Sequence, residues 1–286
     1  MSEPKSVLIS GCSSGIGRCV ATGLATQGYR VFATARRSSD VDTLRASGLE
    51  SVRLDLDDSE SINGAVREIL SRTGGRLFGL VNNGAYGQPG AVEDLSRESL
   101  RRQFETNVLG TQELTNRVIP VMRRQGHGRI VQISSVLGFV CLPYRGAYNA
   151  SKFALEALSD TLRLELRGTN IYVSLIEPGP IRSRFRANAY RAFQTHIDTA
   201  ASSHSDAYRQ VEKRLLDPGD ARFTLPETAV LARVQHALGA TRPRIRYRVT
   251  LPTHMFAILK RILPARWMDS ILGRSSAHKL APESKQ

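Results

Sequence analysis

The sequence predicts a doubly wound α/β fold in one domain, with a central parallel sheet of about seven strands flanked by helices. Short apolar runs rich in valine, isoleucine and leucine recur without polar alternation, which is typical of strands buried on both faces. Longer segments of helical period separate these runs, and such alternation indicates a parallel sheet. The 286 residues are enough for one large domain, and the chain shows no internal repeat or interdomain linker.

The predicted elements follow each other in a regular order along the chain. Strands are expected at residues 6–10, 29–35, 51–55, 78–82, 128–134, 171–177 and 245–251. Apolar residues at helical spacing predict helices at 18–26, 59–70, 99–124 and 148–166. In a sheet of this kind, ligands bind beyond the carboxyl ends of the strands.

Two regions depart from the alternation of strands and helices. Residues 184–225 are polar and weakly periodic, and a connection of this length is typical of a functional lid or a disordered insert. Residues 242–272 combine a basic strand with an amphipathic helix. That helix carries Phe256, Leu259, Ile262 and Leu263, and Trp267 and Ile271 follow it. We therefore expect a single domain over 1–286, with its core at about 5–183 and a substrate lid at about 184–225.

The positive charge of the chain is concentrated near its C-terminus. The net charge is +14, and from Thr241 onward ten lysines and arginines face only two acids. This local excess argues against a nucleic-acid partner, which would need a wider basic surface. Four alternating arginines would share one face of a strand, and these are Arg242, Arg244, Arg246 and Arg248. The tail is open to two interpretations: peripheral contact with an anionic membrane, or a solvated edge strand followed by a helix in a subunit interface.

Other features of the sequence indicate a cytoplasmic protein without a metal centre. There is no signal-peptide pattern and no apolar run long enough to cross a bilayer. Cys12, Cys19 and Cys141 form no CxxC pair, and the histidines are scattered, so neither a disulfide framework nor a metal site is expected.

A glycine-rich turn follows the first predicted strand. It reads Ser10-Gly-Cys-Ser-Ser-Gly-Ile-Gly17 and leads directly into a helix. Its glycines permit a tight turn and a close backbone approach, while the start of the helix offers unpaired N–H groups to a phosphate. A turn of this kind is also found as a plain connection. Its place at the first strand–helix junction favours a Rossmann-type dinucleotide site.

The end of the second predicted strand bears on the choice of cofactor. An NAD enzyme places a carboxylate there for the ribose 2′-hydroxyl, whereas this strand ends in Arg36 and Arg37. Guanidinium groups bind a 2′-phosphate through charge-assisted hydrogen bonds. The alternative is that both arginines only solvate the start of a helix. We expect NADP(H) as the cofactor.

Tyr148 and Lys152 stand four residues apart at the start of a predicted helix, so they share one face. An ammonium about 5 Å from the phenol would lower its pKa by roughly two units, into a working range for proton transfer. The alternative is an amphipathic tyrosine beside a solvated lysine.

Taken together, these motifs resemble the short-chain dehydrogenase/reductase family. The glycine turn is similar to the family's TGxxxGIG, and Tyr148-Asn-Ala-Ser-Lys152 is similar to its YxxSK. Ser135 lies thirteen residues before Tyr148, like the family's active-site serine, and Asn107 matches its helix asparagine. The resemblance covers about residues 5–183. It implies a catalytic set of Asn107, Ser135, Tyr148 and Lys152, in which Asn107 helps to hold a water relay to the lysine.

The resemblance also implies a set of cofactor contacts along one edge of the sheet. They are Gly11, Ser13, Ser14, Gly15, Ile16, Gly17, Arg36, Arg37, Asp55, Leu56, Asn83, Gly84, Ala85, Tyr148, Lys152, Pro178, Gly179, Ile181 and Ser183. Two positions depart from the family pattern. The family's NNAG is here Asn-Asn-Gly-Ala, ending at Ala85, and Ser183 replaces the usual threonine.

Further similarity links the chain to bacterial NADP-dependent aldehyde reductases, and more distantly to 17β-hydroxysteroid and retinol dehydrogenases. This implies interconversion of apolar aldehydes or ketones with alcohols, in a homodimer or homotetramer. Six apolar residues are candidates for the pocket wall or for packing: Phe139, Leu142, Pro143, Phe185, Tyr190 and Phe193. A non-catalytic NADP-binding regulator on the same fold remains an alternative.

Overall fold

Seven parallel strands form one sheet in the computed structural model, which describes residues 4–277, with side chains as far as Gly273. In chain order they are β1 (Ser6–Ile9), β2 (Arg30–Ala35), β3 (Glu50–Arg53), β4 (Gly79–Asn82), β5 (Gly128–Ile133), β6 (Ile171–Glu177) and β7 (Arg246–Arg248). The spatial order is β3-β2-β1-β4-β5-β6-β7, so every predicted strand is confirmed. The order reverses between β1 and β4, and this opens a crevice at their carboxyl ends.

Helices cover both faces of this sheet. The described part of the chain contains the helices α1 (Gly15–Ala25), α2 (Ser38–Ala46), α3 (Ser59–Arg72), α4 (Arg97–Phe104), α5 (Thr111–Gln125), α6 (Gly146–Glu165), α7 (Phe185–His196), α8 (Ser205–Leu216), α9 (Thr228–Gly239), α10 (Leu251–Ile262) and α11 (Ala265–Ala277), of which α7, α8, α10 and α11 pack in clusters beside the sheet layers. The side chains of β1 show why two layers are needed. Val7 and Ile9 pack with α1 and α9, Leu8 packs with α3 and α5, and all three are fully buried.

The helix predicted at 99–124 is interrupted. A π turn over Glu105–Gly110 separates α4 from α5, so the expectation of one regular helix is wrong at this point. The interruption coincides with close packing, because a Cβ on Gly110 would lie 1.8 Å from the carbonyl oxygen of Leu56. Asn107 lies inside this turn and is buried. Such turns are frequent at functional sites.

The weakly periodic region at 184–225 contains the two helices α7 and α8. Their inner faces form a third apolar cluster, in which Phe193 is 2% exposed and its ring lies 5.3 Å from that of Tyr208. The Tyr208 hydroxyl accepts a hydrogen bond from the Ala91 amide at 2.9 Å and donates to Asp94. Phe193 is therefore a packing residue. The region is an ordered helical pair, and its service as a lid stays a prediction.

The strand β7 lies at one edge of the sheet, and its arginines face acids. Arg246 contacts Glu156, Asp160 and Glu177, and Arg248 lies 3.5 Å from Glu177. The expectation of a solvated or lipid-facing row is therefore wrong for Arg246 and Arg248. Their shared face covers buried carboxylates, whereas Arg242 and Arg244, which precede the strand, are exposed.

The helix α10 has two apolar faces. Phe256 and Leu259 pack on a small cluster with Val140, as the amphipathic pattern predicts, but Ile262 is 67% exposed. The exposed face is a stripe of Leu251, Met255, Ile258 and Ile262. The basic tail beyond residue 277 lies outside the described residues. No helix within residues 4–277 combines the length and apolar character needed to cross a membrane.

Candidate active site

The glycine turn after β1 forms the floor of the crevice. Gly11 has a φ of +71°, and a Cβ there would lie 2.6 Å from the Cα of Gly84. A Cβ on Gly17 would lie 2.3 Å from the carbonyl oxygen of Gly11. Both positions therefore require glycine, for backbone conformation in the first case and for space in both. The turn is as tight as the sequence predicts.

A second turn, after β4, is held against the first by hydrogen bonds. The amides of Asn83 and Gly84 both donate to the Ser10 hydroxyl at 3.0 Å, and Asn83 Nδ2 donates to the Gly11 carbonyl at 2.9 Å. A Cβ on Gly84 would lie 2.9 Å from Leu56 Cδ1. An alanine here would therefore need a small movement of the Leu56 side chain, whereas glycine leaves the contact relaxed.

The start of α1 presents free backbone donors to the crevice. Ser14 occupies the N-cap without a side-chain hydrogen bond, so the first N–H groups of the helix remain available to an anion. Ser13 and Ile16 line the same turn. Gly15 has a φ of +56°, and a Cβ there would lie 3.1 Å from Ser183 Cβ. The segment after β6 thus closes over the turn. This arrangement fits a pyrophosphate.

Three arginines lie close together in the chain segments where β2 and β3 end. Arg36 and Arg37 are exposed at the end of β2, and Arg53 Nε donates to the Arg36 carbonyl at 3.1 Å. Sequence reasoning missed Arg53, because only the pairing of Ala35 with Arg53 brings it there. Asp55 lies beyond β3 and accepts from the Asp57 amide at 3.2 Å. The cationic group fits a 2′-phosphate.

Ser135, Tyr148 and Lys152 come together at the end of β5. The helix α6 places Tyr148 and Lys152 on one buried face, and the Ser135 hydroxyl is close enough to the Tyr148 phenol to lower its pKa. Lys152 Nζ donates to the Ile133 carbonyl at 2.8 Å. The structure therefore brings together three of the four residues expected to act in catalysis.

The protonation of this group differs from the sequence expectation. Burial raises the pKa of Tyr148 to about 12, while the Ser135 hydrogen bond and the nearby charge of Arg145 act in the opposite direction. Burial lowers the pKa of Lys152 to about 8, opposed by Glu156. Desolvation thus outweighs the expected effect of Lys152 on the phenol, and the cation that acts on Tyr148 is Arg145. At neutral pH the phenol holds its proton and can donate it.

Asn107, the fourth expected residue, hydrogen-bonds to the backbone of Tyr86 and to the side chain of Ser151. Its Oδ1 accepts from the Tyr86 amide at 3.1 Å, and its Nδ2 donates to the Tyr86 carbonyl at 2.9 Å and to Ser151 Oγ at 3.0 Å. It therefore joins the loop after β4 to α6, one residue before Lys152. A water relay through Asn107 stays a prediction.

The segment after β6 carries the residues expected around the nicotinamide. The Pro178 carbonyl accepts from the Val136 amide at 2.8 Å, next to Ser135. A Cβ on Gly179 would lie 2.1 Å from Thr250 Oγ1, so this position needs glycine. Ile181 pairs with Leu225. These contacts hold the segment between the catalytic group and the start of α10.

Only some of the apolar candidates reach the catalytic group. The ring of Phe185 lies 5.2 Å from that of Tyr148, edge to face. The Tyr190 hydroxyl donates to Glu212 at 2.9 Å. Phe139 and Leu142 pack toward α10, and Pro143 is exposed. Of the six candidates, Phe185 is thus the one whose ring contacts the catalytic tyrosine.

Comparison with known proteins agrees with this geometry. Residues 5–193 match the family model described as short chain dehydrogenase. The chain is 45% identical to the uncharacterized oxidoreductase YbbO of Escherichia coli K12, over 94% of each chain. It is 32% identical to mouse retinol dehydrogenase 5, over 93% of this chain and 87% of that protein.

A solved structure extends the comparison to the fold. A short-chain dehydrogenase/reductase of Burkholderia phymatum in complex with NAD has a TM-score of 0.77 at 26% identity, over 96% of this chain and 97% of that one. The matched family model spans both glycine turns, the Ser135–Tyr148–Lys152 group and the segment after β6. The chain therefore belongs to the short-chain dehydrogenase/reductase family of oxidoreductases.

Proposed function

We propose that the protein uses NADP(H) to reduce apolar aldehydes or ketones to alcohols, or to catalyse the reverse reaction. The observation that carries this proposal is the buried Ser135–Tyr148–Lys152 group, which lies at the same carboxyl edge of the sheet as the free start of α1. Arg36, with Arg37 and Arg53 beside it, favours NADP(H) over NAD(H).

Each residue of the group has a distinct task. The cofactor supplies the hydride when it is bound. The Ser135 hydroxyl donates a hydrogen bond to the substrate carbonyl oxygen and stabilises the negative charge that develops there. Tyr148 gives its proton to the same oxygen, which completes the alcohol. Lys152 Nζ lies 5.8 Å from the centre of the Tyr148 ring, where it can bind the nicotinamide ribose, and its pKa of about 8 keeps it charged in neutral solution.

The contacts at the site weigh against a non-catalytic regulator. A regulator on this fold would need the glycine turns and the arginines of β2 and β3 to bind NADP(H). It would not need a buried tyrosine next to a serine hydroxyl, with an ammonium group on the same helix face. These features serve proton transfer, so we favour the enzyme.

The test of this function is NADPH oxidation with nonanal, and NADH oxidation under the same conditions. We expect turnover with both cofactors and a clear preference for NADPH. In Arg36→Asp, we expect kcat/KM for NADPH to fall about 10- to 100-fold, because the charge-assisted hydrogen bonds to the 2′-phosphate are lost. The value for NADH should change no more than a few-fold.

Arg67→Ser is the matched control, because Arg67 is exposed on α3. This variant should keep the cofactor preference of the wild type. Equal use of both cofactors by the wild type, or an unchanged preference in Arg36→Asp, would contradict the NADP assignment. Absence of turnover with nonanal, steroid ketones and retinal would favour the regulator.

We further propose that the exposed face of α10 contacts an anionic membrane surface. Leu251, Ile258 and Ile262 are 63%, 59% and 67% exposed in one stripe, and Trp267 is 64% exposed close by. Arg261 and Arg266 are exposed near this stripe, and cations beside an apolar face favour anionic lipid. Assembly into a homodimer or homotetramer stays a prediction.

Co-sedimentation with phosphatidylglycerol vesicles tests this contact. We expect the wild type to sediment with the vesicles and Ile258→Glu to bind at least about 10-fold more weakly, since a charge replaces an inserted apolar group. Leu164→Glu is the control, because Leu164 is exposed on α6. Equal binding by wild type and Ile258→Glu would refute the proposal. A loss of dimer mass in Ile258→Glu without vesicle binding by the wild type would assign the stripe to a second copy.

A further inference from the structure

Three arginines from separate elements act on one another where α6, α7 and α8 pack together, and one of them, Arg145, also acts on the catalytic tyrosine. Arg145 is the N-cap residue of α6, three residues before Tyr148. Arg186 lies in the first turn of α7, next to Phe185, whose ring contacts that of Tyr148. Arg214 lies in the last turn of α8, which packs against α7. All three residues are half-buried.

None of these three arginines has a carboxylate partner among the described residues, unlike several other arginines of the chain. Arg186 Nη1 donates to the carbonyls of Gly219 at 2.8 Å and Asp217 at 3.3 Å, which are neutral acceptors. Across residues 4–277, the side chains of Arg145 and Arg214 have neither a hydrogen-bond acceptor nor an ion-pair partner. By contrast, the exposed Arg182 in the same region pairs with Asp220 at 2.7 Å.

The unpaired charges act on one another. Burial lowers the pKa of Arg145 to about 10, and the guanidinium groups of Arg214 and Arg186 lower it further. The pKa of Arg214 is lowered by burial and then by Arg186. Half-buried like charges without a counter-ion cost stability, and an anion bound among the three guanidinium groups would offset that cost. Perturbed groups of this kind are typical of binding sites.

We propose that Arg145, Arg186 and Arg214 bind an oxyanion carried by the substrate at the end remote from its carbonyl. This inference rests on the proposed function and narrows its substrate class. The preferred substrate has a carbonyl at Tyr148, an apolar part against Phe185 and a carboxylate or phosphate-like group at the arginines. The bound oxyanion would also affect catalysis. It would neutralise Arg145 and so weaken the lowering of the Tyr148 pKa by that charge.

The test compares two aldehydes of equal length, 9-oxononanoate and nonanal, under identical conditions with NADPH. We expect the wild type to favour 9-oxononanoate at least about 10-fold in kcat/KM. In Arg214→Met this preference should fall about 10-fold, since one charge-assisted contact to the carboxylate is lost. Arg209→Met is the matched control, because Arg209 is exposed on the same helix and pairs with Asp206. It should keep the wild-type preference.

Three outcomes overturn the oxyanion site while leaving the reductase intact. The first is turnover of nonanal with equal or lower activity of the wild type on 9-oxononanoate. The second is an unchanged preference for 9-oxononanoate in Arg214→Met. The third is a raised KM for NADPH in Arg214→Met with no change in that preference. The last outcome would assign the arginines to the cofactor instead.

Absence of turnover with both aldehydes would count against the proposed function alone. In that case, thermal stabilisation of the protein by nonanedioate is compared with that by 1,9-nonanediol. Stabilisation by the diacid that is lost in Arg214→Met supports the site. Equal stabilisation by the two compounds overturns it.

Discussion

Tyr148→Phe is expected to lower kcat by about 10²- to 10⁴-fold, the usual contribution of a positioned proton donor. The substitution removes the phenolic oxygen beside Ser135, and it keeps the ring that packs against Phe185. The alkoxide formed by hydride transfer would then have to take its proton from water. NADPH binding should change no more than a few-fold, because the glycine turns and the arginines of β2 and β3 are unaltered.

Steady-state kinetics and fluorescence titration with NADPH measure the two effects separately. Tyr172→Phe is the control, since Tyr172 lies on β6 and stacks on Arg129 with no contact to the catalytic group. It should keep wild-type kcat. If Tyr148→Phe retained more than half of the wild-type kcat, the proton would have to come from another group.

Arg246→Met is expected to destabilise the protein by about 3–5 kcal/mol, the range found when one partner of a buried ion pair is removed. Arg246 lies 3.0 Å from Glu156, 2.6 Å from Asp160 and 3.0 Å from Glu177. Glu177 is 2% exposed and Glu156 is 8% exposed, so both carboxylates depend on the guanidinium to compensate their charge. Arg248, at 3.5 Å from Glu177, compensates only in part.

The loss of stability caused by Arg246→Met should depend on pH. Burial, and then the charge of Glu156, raise the pKa of Glu177 to about 7 from an ordinary value of 4.5. An acid with a raised pKa in the folded state costs stability as pH rises from about 4.5 through 7, because the unfolded chain releases the proton first. Without Arg246 the pKa rises further, so the destabilisation should be larger at pH 8 than at pH 5.5.

Urea unfolding of wild type and Arg246→Met at both pH values measures this difference. The exposed Arg242 supplies the control Arg242→Met, which should stay within about 0.5 kcal/mol of wild type, as is usual for surface substitutions. A loss below 1 kcal/mol, or an equal loss at both pH values, would show that Glu156 and Glu177 do not depend on Arg246.

The parts of the site that the sequence predicts are those encoded by local spacing. The glycines of the first turn and the pair Tyr148–Lys152 lie within a few residues of each other, so their geometry follows from one turn and one helix. The strands were predictable for a similar reason, since burial on both faces leaves continuous apolar runs such as that of β1.

The parts that escaped prediction depend on contacts between distant segments. Alternation showed that Arg246 and Arg248 share a face, but not that Glu156 and Glu177 lie beneath it. The dominant effect of burial on Tyr148 likewise depends on the whole surrounding fold. The cluster of Arg145, Arg186 and Arg214 has no common spacing, because each comes from a different element.

The π turn at Glu105–Gly110 sets a constraint on chain length as well as on composition. A π turn holds one residue more than the α-helix around it, and one residue corresponds to about 100° of rotation. Faces of α4 and α5 that would align in a continuous helix are therefore out of phase. Deleting one residue here would not simply shorten the segment. It would turn α4 relative to α5 and carry Asn107 away from Tyr86 and Ser151. The number of residues between α4 and α5 is therefore constrained as strictly as their identity.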